Sequence, residues 1–266
     1  MKKLCYIIAL FGLCFAENGM FSEIGAGVGY YRYDEPRVMN TDELLLNINA
    51  KLGYRHEFVK AEAVGDVFTT FGLYTGGYIS FDNDVNDSID NQKVYGTHAS
   101  QILNTQAKIG IDLLAFSDTM DLFVQSGIGY WLMLDRDYPD KRQQVYVYVP
   151  IELEGEIRSA PSFAWTYLLG YNHLIDARHK TISSPGGIDN ADLFAKQDKG
   201  FGLKGSFGWK KQNKDSLNFT RIVVDYWKIG DSKPSDIGTS YLNKPVAFYE
   251  PRNFTLSIYL QYGWRF

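Results

Sequence analysis

From residue 20 to the end of the chain, apolar residues recur at every second position in run after run, and no apolar stretch there reaches the roughly 20 residues a spanning helix requires. Period two is the signature of a strand whose neighbouring side chains point to opposite sides. In 44–56, Leu44, Leu46, Ile48, Ala50, Leu52 and Tyr54 share one face, while Leu45, Asn47, Asn49, Lys51, Gly53 and Arg55 share the other. The same pattern returns in 59–73, 103–113, 145–158, 163–171 and 201–209, and with 20–33, 120–134, 216–229 and 252–266 it makes ten segments. Aromatics form 15% of the chain, which suits strands better than helices.

The connections fall into two classes by length. His56-Glu57, 116–119, 159–162 and 211–215 are short, and they alternate with long polar stretches at 34–42, 81–99, 135–144, 174–199 and 231–251. Tight turns at one end and long loops at the other define an up-and-down antiparallel sheet. Two irregularities are expected: Pro150 cannot donate to a ladder and implies a bulge or a position near the rim, and the parity change between Phe219 and Ile222 implies a bulge near Thr220. A turn at His56-Glu57 would pair Lys51 with Glu62 and Asn47 with Asp66.

Residues 1–16 read as a separate export leader: Lys2 and Lys3, then apolar residues 4–13, then Ala16 as the small residue at a cleavage site. Both cysteines, Cys5 and Cys14, lie in it, so no disulfide is expected in 17–266, which reads as one domain. Without Lys2 and Lys3 the chain carries 25 basic residues against 31 acidic, with no basic cluster, which argues against a nucleic-acid partner.

Alternation alone leaves open whether the apolar face points into a soluble barrel or out into lipid. The last strand favours lipid. Phe254, Leu256, Ile258, Leu260, Tyr262, Trp264 and Phe266 are consecutive apolar positions at period two, and the chain stops on an aromatic residue. This tail resembles the terminal strand of bacterial outer-membrane β-barrel proteins. The resemblance implies an all-β, transmembrane, up-and-down barrel of about ten strands in the outer membrane, with short periplasmic turns and long extracellular loops. It also implies outer-membrane lipid and lipopolysaccharide as surroundings, and a barrel-assembly machinery that reads Tyr262, Trp264 and Phe266. On that reading the charged residues opposite the apolar face, Lys51, Arg55, Lys60, Glu62, Asp66, Lys108, Asp112, Glu152, Glu154, Glu156 and Lys204, point into the lumen, where opposite signs pair. Tyr30, Tyr54, Tyr130, Tyr171, Trp209 and Trp264 near strand ends suit interfacial girdles.

Little chemistry stands out. Asp82, Asp84, Asp87 and Asp90 sit among asparagines in a polar loop without calcium-loop spacing, so no metal or cofactor is expected. His173 and His179, with Asp176 and Arg178, head a long loop. Ten-stranded outer-membrane proteases of the omptin family place an Asp/His constellation at the rim, but no motif of that family accompanies these residues. The sequence therefore favours a non-enzymatic barrel with a surface-binding or structural role, with an unknown extracellular ligand. A narrow channel and a rim-sited protease or lipid hydrolase are the alternatives.

Overall fold

The computed structural model describes residues 19–36, 38–76, 94–135, 141–182, 193–213, 216–241 and 244–266. The expected leader and the aspartates of 82–90 lie outside them. The strands in chain order are β1 (Gly19–Glu35), β2 (Met39–His56), β3 (Val59–Gly76), β4 (Val94–Asp112), β5 (Met120–Asp135), β6 (Lys141–Ala160), β7 (Phe163–Ile182), β8 (Leu193–Gln197), β9 (Gly200–Gln212), β10 (Leu217–Ile229), β11 (Ser235–Tyr241), β12 (Lys244–Phe248) and β13 (Asn253–Arg265). Ten of them, β1 to β7 with β9, β10 and β13, form an antiparallel barrel that β13 closes against β1. β8 continues the line of β9 along β7 after a break at 198–199, and β11 and β12 form a separate hairpin.

Period two follows from the pleat, and it holds through the barrel wall. On β2, residues 43, 45, 47, 49, 51 and 53 are buried while residues 44 to 54 of even number are exposed, so the apolar face points outward. With the ten strands closed edge to edge by β13 on β1, the wall can face lipid.

Three local expectations are corrected. The first turn uses Glu57 and Phe58 instead of His56 and Glu57, so His56 pairs with Val59, Lys51 lies opposite Val64, and Glu62 lies opposite Gly53. The register moves by two, which leaves every side chain on its face; Lys51 Nζ still reaches Glu62 diagonally at 3.5 Å. Glu57 takes φ +50°, a left-handed conformation a β-branched residue tolerates poorly. Glu57→Val is therefore expected to lower stability by about 1–2 kcal/mol in a urea titration, with Glu57→Gly at or above the parent. Near Thr220 there is no bulge: β10 pairs without a register shift on both sides, and the parity change arises because Phe219, Val223, Trp227 and Ile229 are apolar residues facing inward. Pro150 is not at a rim but in mid-strand. Next to it, Gly127 and Ile128 drop out of the β5–β6 pairing, and the bulge itself falls on β7, where Val147 faces Asp176 but Tyr148 faces Leu174, leaving Ile175 over.

The strands also run further than the apolar alternation. Residues 94–99, 141–144 and 174–182, read as loop, are strand, so His173, Asp176, Arg178 and His179 belong to the wall of the barrel.

Candidate functional site

The lumen is the candidate site, and it is layered. At mid-height an aromatic layer crosses it. Trp131 on β5 stacks on Tyr146 of β6 at 4.4 Å between ring centroids. Tyr146 and Tyr148 both meet Trp227, from β10, three strands round the barrel, at 5.4 and 4.9 Å. Phe68 and Tyr259 close the other side edge-to-face at 5.6 Å, and Tyr31, Leu45, Met133 and Leu174 fill the remainder. Two of the rings need glycine beside them: the Tyr148 ring occupies the space a Cβ on Gly129 would take, and a Cβ on Gly202 would sit 2.9 Å from the Trp227 ring. The sequence reading of a charged lumen missed this layer, although Tyr146 and Tyr148 stand at the polar parity of β6 and were the available signal.

On the turn side of that layer lies a charged vestibule with a cavity of about 420 Å³. Lys51 and Lys60 reach across to Glu154 at 3.0 and 2.7 Å, Lys60 and Lys108 bind Glu62 at 3.3 and 2.9 Å, and Lys108 also binds Glu152. Three lysines thus interlock with three glutamates from β3 and β6. Arg55 bridges Asp112 and Asp121 at 3.2 and 2.9 Å, and Glu156 meets Lys210 and Arg158, each at 3.3 Å. Asp66 accepts from Asn49 at 2.9 Å and has Lys204 4.0 Å away. All the charged residues singled out from the sequence are thereby buried or half-buried on the inward side. Glu23, Lys210, Arg221 and Arg265 join them and were not singled out; Gly-rich β1 and the mixed parity of β10 obscured the first and third, while Lys210 and Arg265 stand at the polar parity of β9 and β13 and were missed.

On the loop side a third layer is polar. His98 lies between Glu43 at 2.8 Å and Asp135 at 3.5 Å, and Ser100 Oγ donates to Asp135 at 2.6 Å. Serine, histidine and carboxylates do meet here, yet the hydroxyl proton goes to the carboxylate instead of to the imidazole, and all four groups are buried. Arg142 binds Glu35 and Glu250, and His179 Nδ1 lies 3.0 Å from Glu250. The rim constellation does not assemble: the bulge at Ile175 turns His179 inward, His173 stays exposed beside Tyr171, and Asp176 binds Arg178 and Lys196 at 2.6 and 3.0 Å on the outer side.

Outside, Tyr30, Tyr54, Tyr130, Tyr171, Trp209 and Trp264 are all exposed, as are Tyr262 and Phe266. No helix among the described residues is long and apolar enough to cross a membrane; strands make up the wall.

No family model and no curated protein matches the chain. Among solved structures, the outer membrane protease OmpT from Escherichia coli is similar in fold, with a TM-score of 0.65 over 96% of this chain and 98% of that one at 11% identity. The Pseudomonas putida toluene transporter TodX gives 0.35 over 94% and 90% at 8% identity, and a Pseudomonas aeruginosa FadL homologue gives 0.32 over 95% and 91% at 6% identity. The first similarity establishes the fold, and the other two add nothing to it at these scores. The chain is a closed ten-stranded antiparallel β-barrel, similar in fold to that outer membrane protease.

Proposed function

We propose that this protein is a non-conducting barrel integral to the outer membrane, with a structural or surface-binding role carried by its outer face and loops. The aromatic layer supports this reading most directly. Ten strands enclose little more than the eight whose side chains fill a barrel, far fewer than the 16–18 of open porins, and here buried rings from β5, β6 and β10 and from β3 and β13 pack in one core cluster across the section. The interlocked lysines and glutamates below it hold the remaining charge in place. In the same reading Tyr262, Trp264 and Phe266, exposed along β13, serve recognition by the assembly machinery.

Reconstituted protein in a planar bilayer is expected to give no conductance or only small ion-level steps, and to exclude sugar-sized solutes. Porin-scale steps from the unmodified monomer would replace this reading with that of a channel.

A further inference from the structure

Four neighbouring strands bring one carboxylate and three cations to the same point at the turn end of the lumen. Glu23 of β1 pairs with Arg265 of β13, Arg221 stands on β10, and Lys210 on β9, and all four line the vestibule. Glu23 is buried, yet no described residue donates to it at hydrogen-bond distance: Lys210 Nζ and Arg265 Nη1 lie 3.8 and 3.9 Å from its Oε1, and Arg221 Nη1 lies 3.6 Å from its Oε2. Completed pairs of this kind close to roughly 2.7–2.9 Å, as Lys60 does on Glu154 in the same vestibule at 2.7 Å. The three contacts to Glu23 stay open.

The cations differ in the donors they have left. Arg221 is committed, its Nε donating to Gln261 at 2.6 Å and its Nη2 to Asn49 at 3.3 Å. Arg265 lies over the ring of Phe21 at 4.3 Å, a contact that gives its N–H groups no acceptor, and it makes no hydrogen bond through its side chain among the described residues. Lys210 donates one hydrogen bond, to Glu156 at 3.3 Å, of the three an ammonium can make. Because both flank the same oxygen of Glu23, they stand within reach of one bound oxyanion. The vestibule cavity of about 420 Å³ has the size of a small-molecule site, and a second of about 400 Å³ beside the turn from β6 to β7 shares Lys210, Glu156 and Arg158 with it, so the cluster is reached from the turn end.

We propose that Arg265, Lys210 and Glu23 form a binding site for a phosphate group that still carries a proton, as free hydrogen phosphate or at the end of a small ester. Its oxygens accept from Arg265 and Lys210, and its P–OH donates to the Glu23 carboxylate, which has no other donor among the described residues. The carboxylate also sets the selectivity. An oxyanion without a proton meets it charge against charge, so sulfate is refused where hydrogen phosphate is held. The inference rests on the closed barrel and not on which compartment the turns face.

The test uses the full chain folded in octyl glucoside, with folding checked by heat-modifiable gel mobility, in a phosphate-free buffer of constant chloride at about pH 6, near the second phosphate pKa. Calorimetric titration is expected to show saturable binding of inorganic phosphate and sulfate weaker by at least about tenfold. Glycerol 3-phosphate binding as tightly as inorganic phosphate assigns the site to an ester, and binding of inorganic phosphate alone assigns it to the free anion. Arg265→Gln should weaken phosphate by about tenfold or more, while Arg178→Gln, which removes an exposed cation on the outer side, should leave it unchanged. Glu23→Gln, whose amide can donate to either anion, should bring sulfate to within about threefold of phosphate. Lys210→Gln keeps Glu23 in place and repeats the loss of phosphate binding should Glu23→Gln fail to fold. A folded parent without saturable phosphate binding overturns the inference, as does sulfate bound as tightly as phosphate, or Arg265→Gln and Lys210→Gln binding phosphate as the parent does.

Discussion

Replacing Glu62 with Gln is expected to destabilise the barrel by about 3–5 kcal/mol. The substitution preserves volume and removes one charge. Glu62 has no exposed side-chain surface and lies 3.5, 3.3 and 2.9 Å from Lys51, Lys60 and Lys108. Without it, the three lysines keep only Glu152 and Glu154 as ion-pair partners among the described residues, and Lys51 and Lys60 both already lean on Glu154. An ammonium left underpaired in the lumen costs more than the pair itself contributes, because desolvation is no longer offset. Urea unfolding in detergent or liposomes reads the loss directly. Adding Lys60→Met to Glu62→Gln restores the balance of charge, leaving Lys51 on Glu154 and Lys108 on Glu152, and should recover part of it. A Glu62→Gln variant within about 1 kcal/mol of the parent would show that water screens the vestibule enough to make the network dispensable.

The second large effect is expected at Trp227. Its side chain is 1% exposed, contacts Tyr146 and Tyr148 of β6, three strands away, and lies against Gly202 on the adjacent strand. Trp227→Ala removes the one ring that joins β6 to β10 through the middle of the lumen, at about 3–5 kcal/mol by the usual cost of a large-to-small core change. The same substitution opens a path between the polar outer layer and the vestibule. Ion-level current in a planar bilayer should therefore rise in Trp227→Ala and stay at the parent level in Trp209→Ala, whose exposed ring lies on the outer face. If the Trp227 variant conducts no more than the parent, the aromatic layer is not the barrier, and closure must be assigned to the charged network or to the outer layer of Glu43, His98 and Asp135.

Both predictions concern residues the sequence exposes to different degrees. Glu62 announces itself: it stands at polar parity among Val59, Ala61 and Ala63, and a charge there must avoid the lipid. Trp227 does not, since tryptophan belongs as readily to an interfacial girdle as to a packed lumen, and β10 has apolar residues at both parities. Parity misleads where both faces are apolar, and it is silent where a bulge inserts a residue. That is why His173 and His179, six positions apart and therefore on one face of a regular strand, end on opposite sides of the wall.

The sequence by itself determined that the chain is all-β and that ten alternating segments make an antiparallel barrel, while the outward direction of the apolar face was expected only from the resemblance of the last strand. These are local properties: the pleat fixes period two, and a lipid-facing wall has to keep one parity apolar along its whole length. It also placed the tight turns to within three residues. Tertiary structure decided what the alternation cannot carry. Strands continue past the apolar band as far as backbone pairing continues, which is independent of side-chain polarity, so residues 174–182 are wall and not loop. Which inward residues meet depends on strands far apart in sequence: Lys51 finds Glu154 and Tyr146 finds Trp227 only when β13 closes on β1 and sets these strands within side-chain reach. Closure, bulge and packing therefore decided which rings and ion pairs meet in the lumen, because they act through distances that no periodicity along the chain encodes.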